Sequence, residues 1–89
     1  MKKQVIRKIS RVTEDTLPDG HWVSTVGLPC DISGGAGKAQ WYETMVFHTR
    51  ADMEQEYCER YASQREAVYG HERIVKALKD GTLPLDTEA

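Results

Sequence analysis

Residues 22–47, with the sequence W-V-S-T-V-G-L-P-C-D-I-S-G-G-A-G-K-A-Q-W-Y-E-T-M-V-F, decide the fold of this 89-residue chain. Both ends of the stretch are rich in aromatic and β-branched residues, which favour β-strands. Pro29 ends the first of these segments, and residues 29–40 form a loop that contains three glycines. The stretch therefore predicts strands at residues 21–28 and 41–49, joined by a long Gly-rich loop.

The segments that flank this stretch extend the predicted sheet. Residues 4–13 are rich in β-branched side chains and predict a first strand, with room for a bulge. The T-L-P-D-G sequence at residues 16–20 is typical of a turn, so the first two strands form an antiparallel hairpin. Residues 41–49 carry apolar side chains on both faces, which is typical of a central strand. Residues 54–61 fit either a fourth strand or the beginning of a helix.

A single helix follows these strands. Ser63 and Glu66 have the spacing of a capping box, which predicts that the helix begins at Ser63. Gly81 is suited to end the helix in a left-handed conformation. Residues of an apolar stripe recur at helical spacing: Ala67, His71, Ile74 and Leu78. We predict one α+β domain over residues 1–81, a three- or four-stranded antiparallel sheet with the C-terminal helix on one face, and a frayed tail at residues 82–89.

Composition indicates an ordinary folded protein, with 39% hydrophobic and 29% charged residues. No apolar run approaches the ~20 residues of a membrane span. The first residues are basic but lack the apolar core of a secretory signal. Two cysteines, Cys30 and Cys58, are too few for a disulfide scaffold. We expect a cytoplasmic protein that does not contact membranes.

The charges are unevenly distributed along the chain, whose net charge is −2. Residues 52–72 hold six acids, whereas residues 1–11 hold basic residues and no acid. A basic arm of this kind can bind nucleic acid, or it can be the solvated side of an edge strand. One alternative function is therefore a nucleic-acid-binding accessory protein. Its contacts would be Lys2, Lys3, Arg7, Lys8 and Arg11.

Motifs for catalysis or cofactor binding are absent from the sequence. The glycines before Lys38 lack the first Gly and the final Ser or Thr of a phosphate-binding P-loop. No histidine or helix N-terminus lies near Cys30 in sequence to activate it as a nucleophile. The histidines and cysteines lack metal-ligand spacing, which leaves open a site assembled in space. We expect no enzyme, no cofactor and no sequence-encoded metal site.

Three fragments together resemble a family of small proteins of unknown function from tailed bacteriophages and prophages. The fragments are V-S-T-V at 23–26, E-T-M-V-F at 43–47 and E-R-Y-A-S…E-A-V-Y-G-H within 59–71. The resemblance covers roughly residues 22–75. The family has L-D-H where this chain has Cys30-Asp31-Ile32, and often two prolines where it has Lys38-Ala39. The resemblance implies phage or prophage origin and expression in the host cytoplasm, and it implies no activity.

Polar residues within or close to the resembling segments are the candidate ligand-binding residues: Asp31, Glu43 and His71. We expect Glu43 and His71 to form a buried hydrogen-bonded pair. The predicted function is a non-enzymatic interaction protein that acts on a host or phage partner, or on itself as a homodimer through the sheet face that the helix leaves uncovered. The remaining alternative is a small-molecule or metal-binding module that uses the Gly-rich loop with these three residues.

Overall fold

The computed structural model describes residues 9–33, 35, 37–52 and 54–82. Its elements are β1 (Ser10–Thr16), β2 (Trp22–Gly27), β3 (Tyr42–Phe47), β4 (Tyr57–Tyr61) and α1 (Gln64–Lys79). The strands form one antiparallel sheet in the order β1-β2-β3-β4, and α1 packs against it. The predicted α+β fold is confirmed, and of the two interpretations of residues 54–61 the strand is the correct one.

The hairpin of β1 and β2 has the predicted turn and a bulge. The pairing runs from Ser10 opposite Gly27 to Thr16 opposite Trp22, with a register shift between Arg11 and Thr13. β1 continues past the predicted end at residue 13. The turn is short, because the Leu17 amide donates to the His21 carbonyl and closes it after Thr16. The predicted strand residues 4–8 lie outside the described residues, as does the predicted tail 82–89 apart from Thr82.

The side chains of β2 and β3 divide between two faces because successive strand residues point in opposite directions. Val23 of β2 pairs with Val46 of β3, and both are buried against Ile74 of α1. Their neighbours Trp22 and Phe47 therefore point away from the helix. We call the face opposite α1 the open face. Its side chains include Arg11, Glu14, Trp22, Ser24, Val26, Glu43, Met45, Phe47, Cys58 and Arg60.

The helix begins and ends where the sequence predicts. The Ser63 hydroxyl accepts from the Glu66 amide at 3.2 Å, and the Glu66 carboxylate accepts from the Ser63 amide at 3.2 Å, which completes the capping box. Beyond the helix, Gly81 has a φ of 75°, the left-handed conformation expected of a helix stop. In the described part of the chain, no helix is long and apolar enough to cross a membrane.

The helix approaches β4 closely at Gly70. A Cβ atom built on Gly70 would overlap the ring and hydroxyl of Tyr61. The Tyr61 ring cannot move freely, because its hydroxyl donates to the Glu59 carboxylate at 2.9 Å. Arg73 of α1 also donates to both carboxylate oxygens of Glu59, each at 2.5 Å. The absence of a side chain at position 70 thus allows this polar contact between helix and sheet.

Gly70→Ala should destabilise the protein by about 1–3 kcal/mol, because the added methyl group overpacks the contact with Tyr61. Helix propensity alone would make the substitution stabilising, since alanine is favoured over glycine by about 1 kcal/mol inside a helix. A measured destabilisation would therefore be due to the contact with Tyr61. Urea unfolding monitored by circular dichroism measures the change. In a Tyr61→Ala background the same substitution should be neutral or stabilising. Equal destabilisation in both backgrounds would contradict the proposed contact.

Candidate functional site

The structure separates the three predicted ligand-binding residues. His71 lies on α1 and bonds through Nδ1 to the Thr25 hydroxyl at 2.8 Å. Glu43 lies on the open face, where its carboxylate accepts from Arg60 Nε at 3.1 Å. The predicted hydrogen bond between Glu43 and His71 is therefore wrong. Strand alternation explains the difference, because Thr44 faces the helix and its neighbour Glu43 must face away.

Asp31 shapes the Gly-rich loop, which one of the alternative functions would use to bind a small molecule or metal. Its carboxylate accepts from the backbone amides of Ser33 and Gln40, both at 2.8 Å. These hydrogen bonds hold the pKa of the Asp31 carboxyl below its usual range, and the bond from Gln40 has the larger effect. The Ile32 amide also donates to the Gln40 carbonyl, so the loop closes on itself. Asp31 thus has a local role in joining the two sides of the loop.

A chain of buried polar groups connects the sheet to α1. Thr25 and Thr44 are fully buried and their hydroxyls are hydrogen-bonded to each other. Beyond Thr25, His71 is 2% exposed and its Nε2 bonds to the Asp15 carboxylate at 2.7 Å. Since a carboxylate only accepts, a neutral His71 donates from Nε2 and accepts the Thr25 proton at Nδ1, and Thr25 accepts from Thr44.

This polar chain has the acid–imidazole–hydroxyl order of nucleophilic enzymes, but its position in the fold assigns it another role. The hydroxyl that would act as a nucleophile belongs to Thr25, which is fully buried beneath α1. A substrate cannot reach that oxygen, whereas nucleophilic catalysis requires contact with the reacting atom. This row of hydrogen-bonded side chains therefore links β1, β2, β3 and α1 and satisfies their buried polar groups.

Thr25→Val should lower the free energy of unfolding by about 1–3 kcal/mol, because it leaves the buried polar atoms of His71 and Thr44 without their partner. Valine has nearly the same shape, so cavity formation contributes little. Chemical denaturation measures the loss. The matched control is Thr16→Val, at an exposed position on the neighbouring strand, where we expect a change within about 0.5 kcal/mol. Similar losses at both positions would contradict the role of the polar chain.

An aromatic–arginine cluster covers one end of the open face. The Trp22 ring stacks on Phe47 with ring centroids 5.2 Å apart. Above Trp22 lie two guanidinium groups, that of Arg50 at 4.6 Å and that of Arg11 at 5.6 Å from the ring centroid. A single Glu14 oxygen accepts from Trp22 Nε1 at 2.8 Å and pairs with both arginines. The hydrogen bond from Trp22, followed by the two arginine charges, lowers the pKa of the Glu14 carboxyl.

The other end of the open face holds a second polar group. Cys58 Sγ donates to Glu43 at 3.0 Å, and Arg60 donates to the same carboxylate oxygen. Burial, and then the hydrogen bond to Glu43, raise the pKa of the Cys58 thiol to about 11. Met45 lies between the two ends of the face, opposite Ser24 on β2 and Cys58 on β4.

Sequence reasoning missed the members of these groups that come from distant segments. Alternation alone places Trp22 on one face of β2, but it cannot place Arg50, which follows β3, or Glu14, whose register depends on a bulge. Of the predicted basic arm, Arg11 is described and pairs with Glu14 at 2.7 Å. Lys2, Lys3, Arg7 and Lys8 lie outside the described residues.

Comparisons of the chain with protein families, with curated proteins and with solved structures found no match. The resemblance to small phage proteins therefore stays a prediction.

At neutral pH, Cys58 should react with iodoacetamide far more slowly than the exposed Cys30. A thiol with a pKa of about 11 is ionised in about one molecule in ten thousand at pH 7, and the thiolate is the reactive form. Glu43→Gln removes the carboxylate charge that opposes ionisation, so the pKa of Cys58 should fall and its alkylation should accelerate. Mass spectrometry of each cysteine-containing peptide measures both rates. An unchanged Cys58 rate in Glu43→Gln would show that burial alone controls the thiol.

Proposed function

We propose that this protein is a non-enzymatic interaction module that binds a host or phage protein in the host cytoplasm, and that its contact surface is the open face. The observation that carries the proposal is the aromatic–arginine cluster beside Met45. Tryptophan, arginine and methionine are enriched at protein interfaces, and tryptophan and arginine dominate their energetic hot spots.

The open face differs from a simple solvated sheet surface. Antiparallel sheets that face water usually present polar side chains there. Here Val26 and Phe47 are already buried by their neighbours, whereas Trp22 and Met45 remain partly exposed. Three arginines and two glutamates surround this small apolar area: Arg11, Arg50, Arg60, Glu14 and Glu43. A partly exposed apolar centre with a charged rim is the usual anatomy of a protein-binding surface.

The size of the open face indicates a reversible complex. Four strands about 4.8 Å apart and six residues long, at about 3.3 Å per residue, present a flat area of about 400 Å². A stable interface commonly buries about 800 Å² on each partner. A partner confined to this face would therefore form a small interface, of the size class found in transient complexes.

A second copy of the chain is a suitable occupant. In a two-fold dimer the same surface contacts itself, so the surface must carry complementary groups. The open face fulfils this condition, because arginines and glutamates occur at both of its ends. A dimer formed through this face would cover the partly exposed Trp22 and Met45.

Photo-crosslinking tests the surface directly. A benzophenone amino acid at position 45 should give discrete adducts, either dimers of the chain or adducts with one lysate protein. The same group at position 69 is the matched control, since Tyr69 is 69% exposed on α1. Adducts in equal amount from both positions, or mainly from position 69, would contradict the proposal.

Sedimentation over a range of concentrations distinguishes self-association from binding to another protein, and Arg50→Glu should weaken either complex.

The two alternative functions receive no specific support from the described residues. In the Gly-rich loop, the Asp31 carboxylate is engaged by backbone amides. In the basic arm, Arg11 pairs with Glu14 and packs on Trp22. Asp31 and Arg11 are thus both engaged within the chain.

A further inference from the structure

Three metal-ligating side chains meet at one end of the sheet, away from the open face. His21 directly precedes β2, His48 directly follows β3 and Glu56 directly precedes β4. Antiparallel pairing brings these strand ends together, since Trp22 lies opposite Phe47 and Val46 lies opposite Tyr57. The Glu56 amide donates to the Val46 carbonyl at 2.7 Å, which continues the ladder to this position.

Two of the distances among the three side chains match those of metal ligands. His21 Nε2 lies 3.2 Å from one Glu56 carboxylate oxygen, and His48 Nδ1 lies 3.4 Å from the other. All the ligand atoms of the group lie within 4.8 Å of one another. Two ligands bound to a tetrahedral zinc ion at about 2.05 Å are separated by about 3.3 Å. The two short separations have this length but end on different Glu56 oxygens. A small side-chain rotation must bring the remaining separation, which is at most 4.8 Å, to the same length.

Asp19 determines which nitrogen of His21 faces the group. One Asp19 oxygen lies 2.9 Å from His21 Nδ1, and the other accepts from the His21 amide at 3.0 Å. A carboxylate only accepts, so Nδ1 carries the proton. In the neutral ring Nε2 is then an acceptor directed at Glu56, which is also an acceptor. A cation between these two atoms, either a proton or a metal ion, resolves the conflict. The same carboxylate–histidine arrangement orients histidine ligands in metal sites.

The surroundings of the group favour a cation. The cleft next to it is lined by Asp19, His21, His48, Glu56, Tyr57, Leu78 and Gly81. Leu78 lies in the last turn of α1 and Gly81 follows its C-cap Asp80, so the cleft adjoins the helix C-terminus, which carries partial negative charge. Asp52 and Glu54 line the adjoining cleft beside His48. The described residues that line these two clefts include no lysine or arginine.

We propose that His21, His48 and Glu56 bind one divalent transition-metal ion, and that Asp19 positions His21. The ligand atoms are His21 Nε2, His48 Nδ1 and a Glu56 carboxylate oxygen. Two imidazoles and a carboxylate suit Zn²⁺ and its neighbours in the first transition row more than Ca²⁺ or Mg²⁺, which prefer oxygen ligands alone. Three protein ligands leave a fourth position for water. The site is independent of the open face and of the function proposed for it.

Zinc titration of the full chain, freed of metal by chelation, tests this site. Calorimetry at neutral pH with Zn²⁺ as the probe should show one ion bound per chain with micromolar or tighter affinity. Glu56→Gln and His48→Ala should each weaken binding at least about tenfold, and Asp19→Asn should weaken it by about 10–100-fold, as outer-shell substitutions do. The His48 side chain is 67% exposed, so His48→Ala should fold normally. Asp52→Asn is the matched control for Glu56→Gln, because it removes one negative charge near the site but no proposed ligand.

The outcomes separate this site from other sources of binding. Co²⁺ should give the absorption of a tetrahedral nitrogen and oxygen site without the charge-transfer band of a thiolate ligand. A thiolate band would assign the metal to Cys30 or Cys58 and overturn the proposal. Absence of saturable binding, or equal affinity in wild type, His48→Ala and Glu56→Gln, would also overturn it. Equal weakening in Asp52→Asn and Glu56→Gln would show that general negative charge, and not a defined ligand set, attracts the ion.

Discussion

Contact of Ile74 with Val23 and Val46 determines the direction of every side chain in the central part of the sheet. These three residues are fully buried and form the core between α1 and the two inner strands. Since successive strand residues alternate in direction, the neighbours of Val23 and Val46 must face away from the helix. The helix therefore covers the valines and threonines, while Trp22 and Met45 are directed to the open face.

The buried polar chain makes this arrangement specific. Apolar contacts tolerate small displacements, but a hydroxyl that loses its buried partner costs about 1–3 kcal/mol. A shift of one residue between β2 and β3 would separate Thr25 from Thr44 and turn one of them toward the open face. His71 adds a constraint on the helix, because it must bond Thr25 and Asp15 at once. The polar network thus disfavours other registers between β2 and β3 more strongly than the packing of the two valines does alone.

Local patterns predicted the elements well, because their causes are local. The capping box at Ser63 and the left-handed conformation of Gly81 depend on residues close in sequence. The error on Glu43 and His71 had a different origin. Alternation shows that Glu43 and Thr44 face opposite ways, but it does not show which of them the helix covers. The large side chains of β3 did not settle this question, because Met45 and Phe47 lie on the face without the helix.

The candidate sites were less predictable because antiparallel pairing assembles them from distant positions. Glu14 and Arg50 meet over Trp22 although they are 36 residues apart. Trp22 lies opposite Phe47. In antiparallel strands the residue before Trp22 and the residue after Phe47 are therefore also neighbours, which brings His21 and His48 into contact. The stack of Trp22 on Phe47 and the contact between the histidines consequently depend on the same register. A displacement of β2 against β3 by one residue would separate both pairs and direct all four side chains to new neighbours. The core packing that places Val23 opposite Val46 is therefore also the condition for both surfaces.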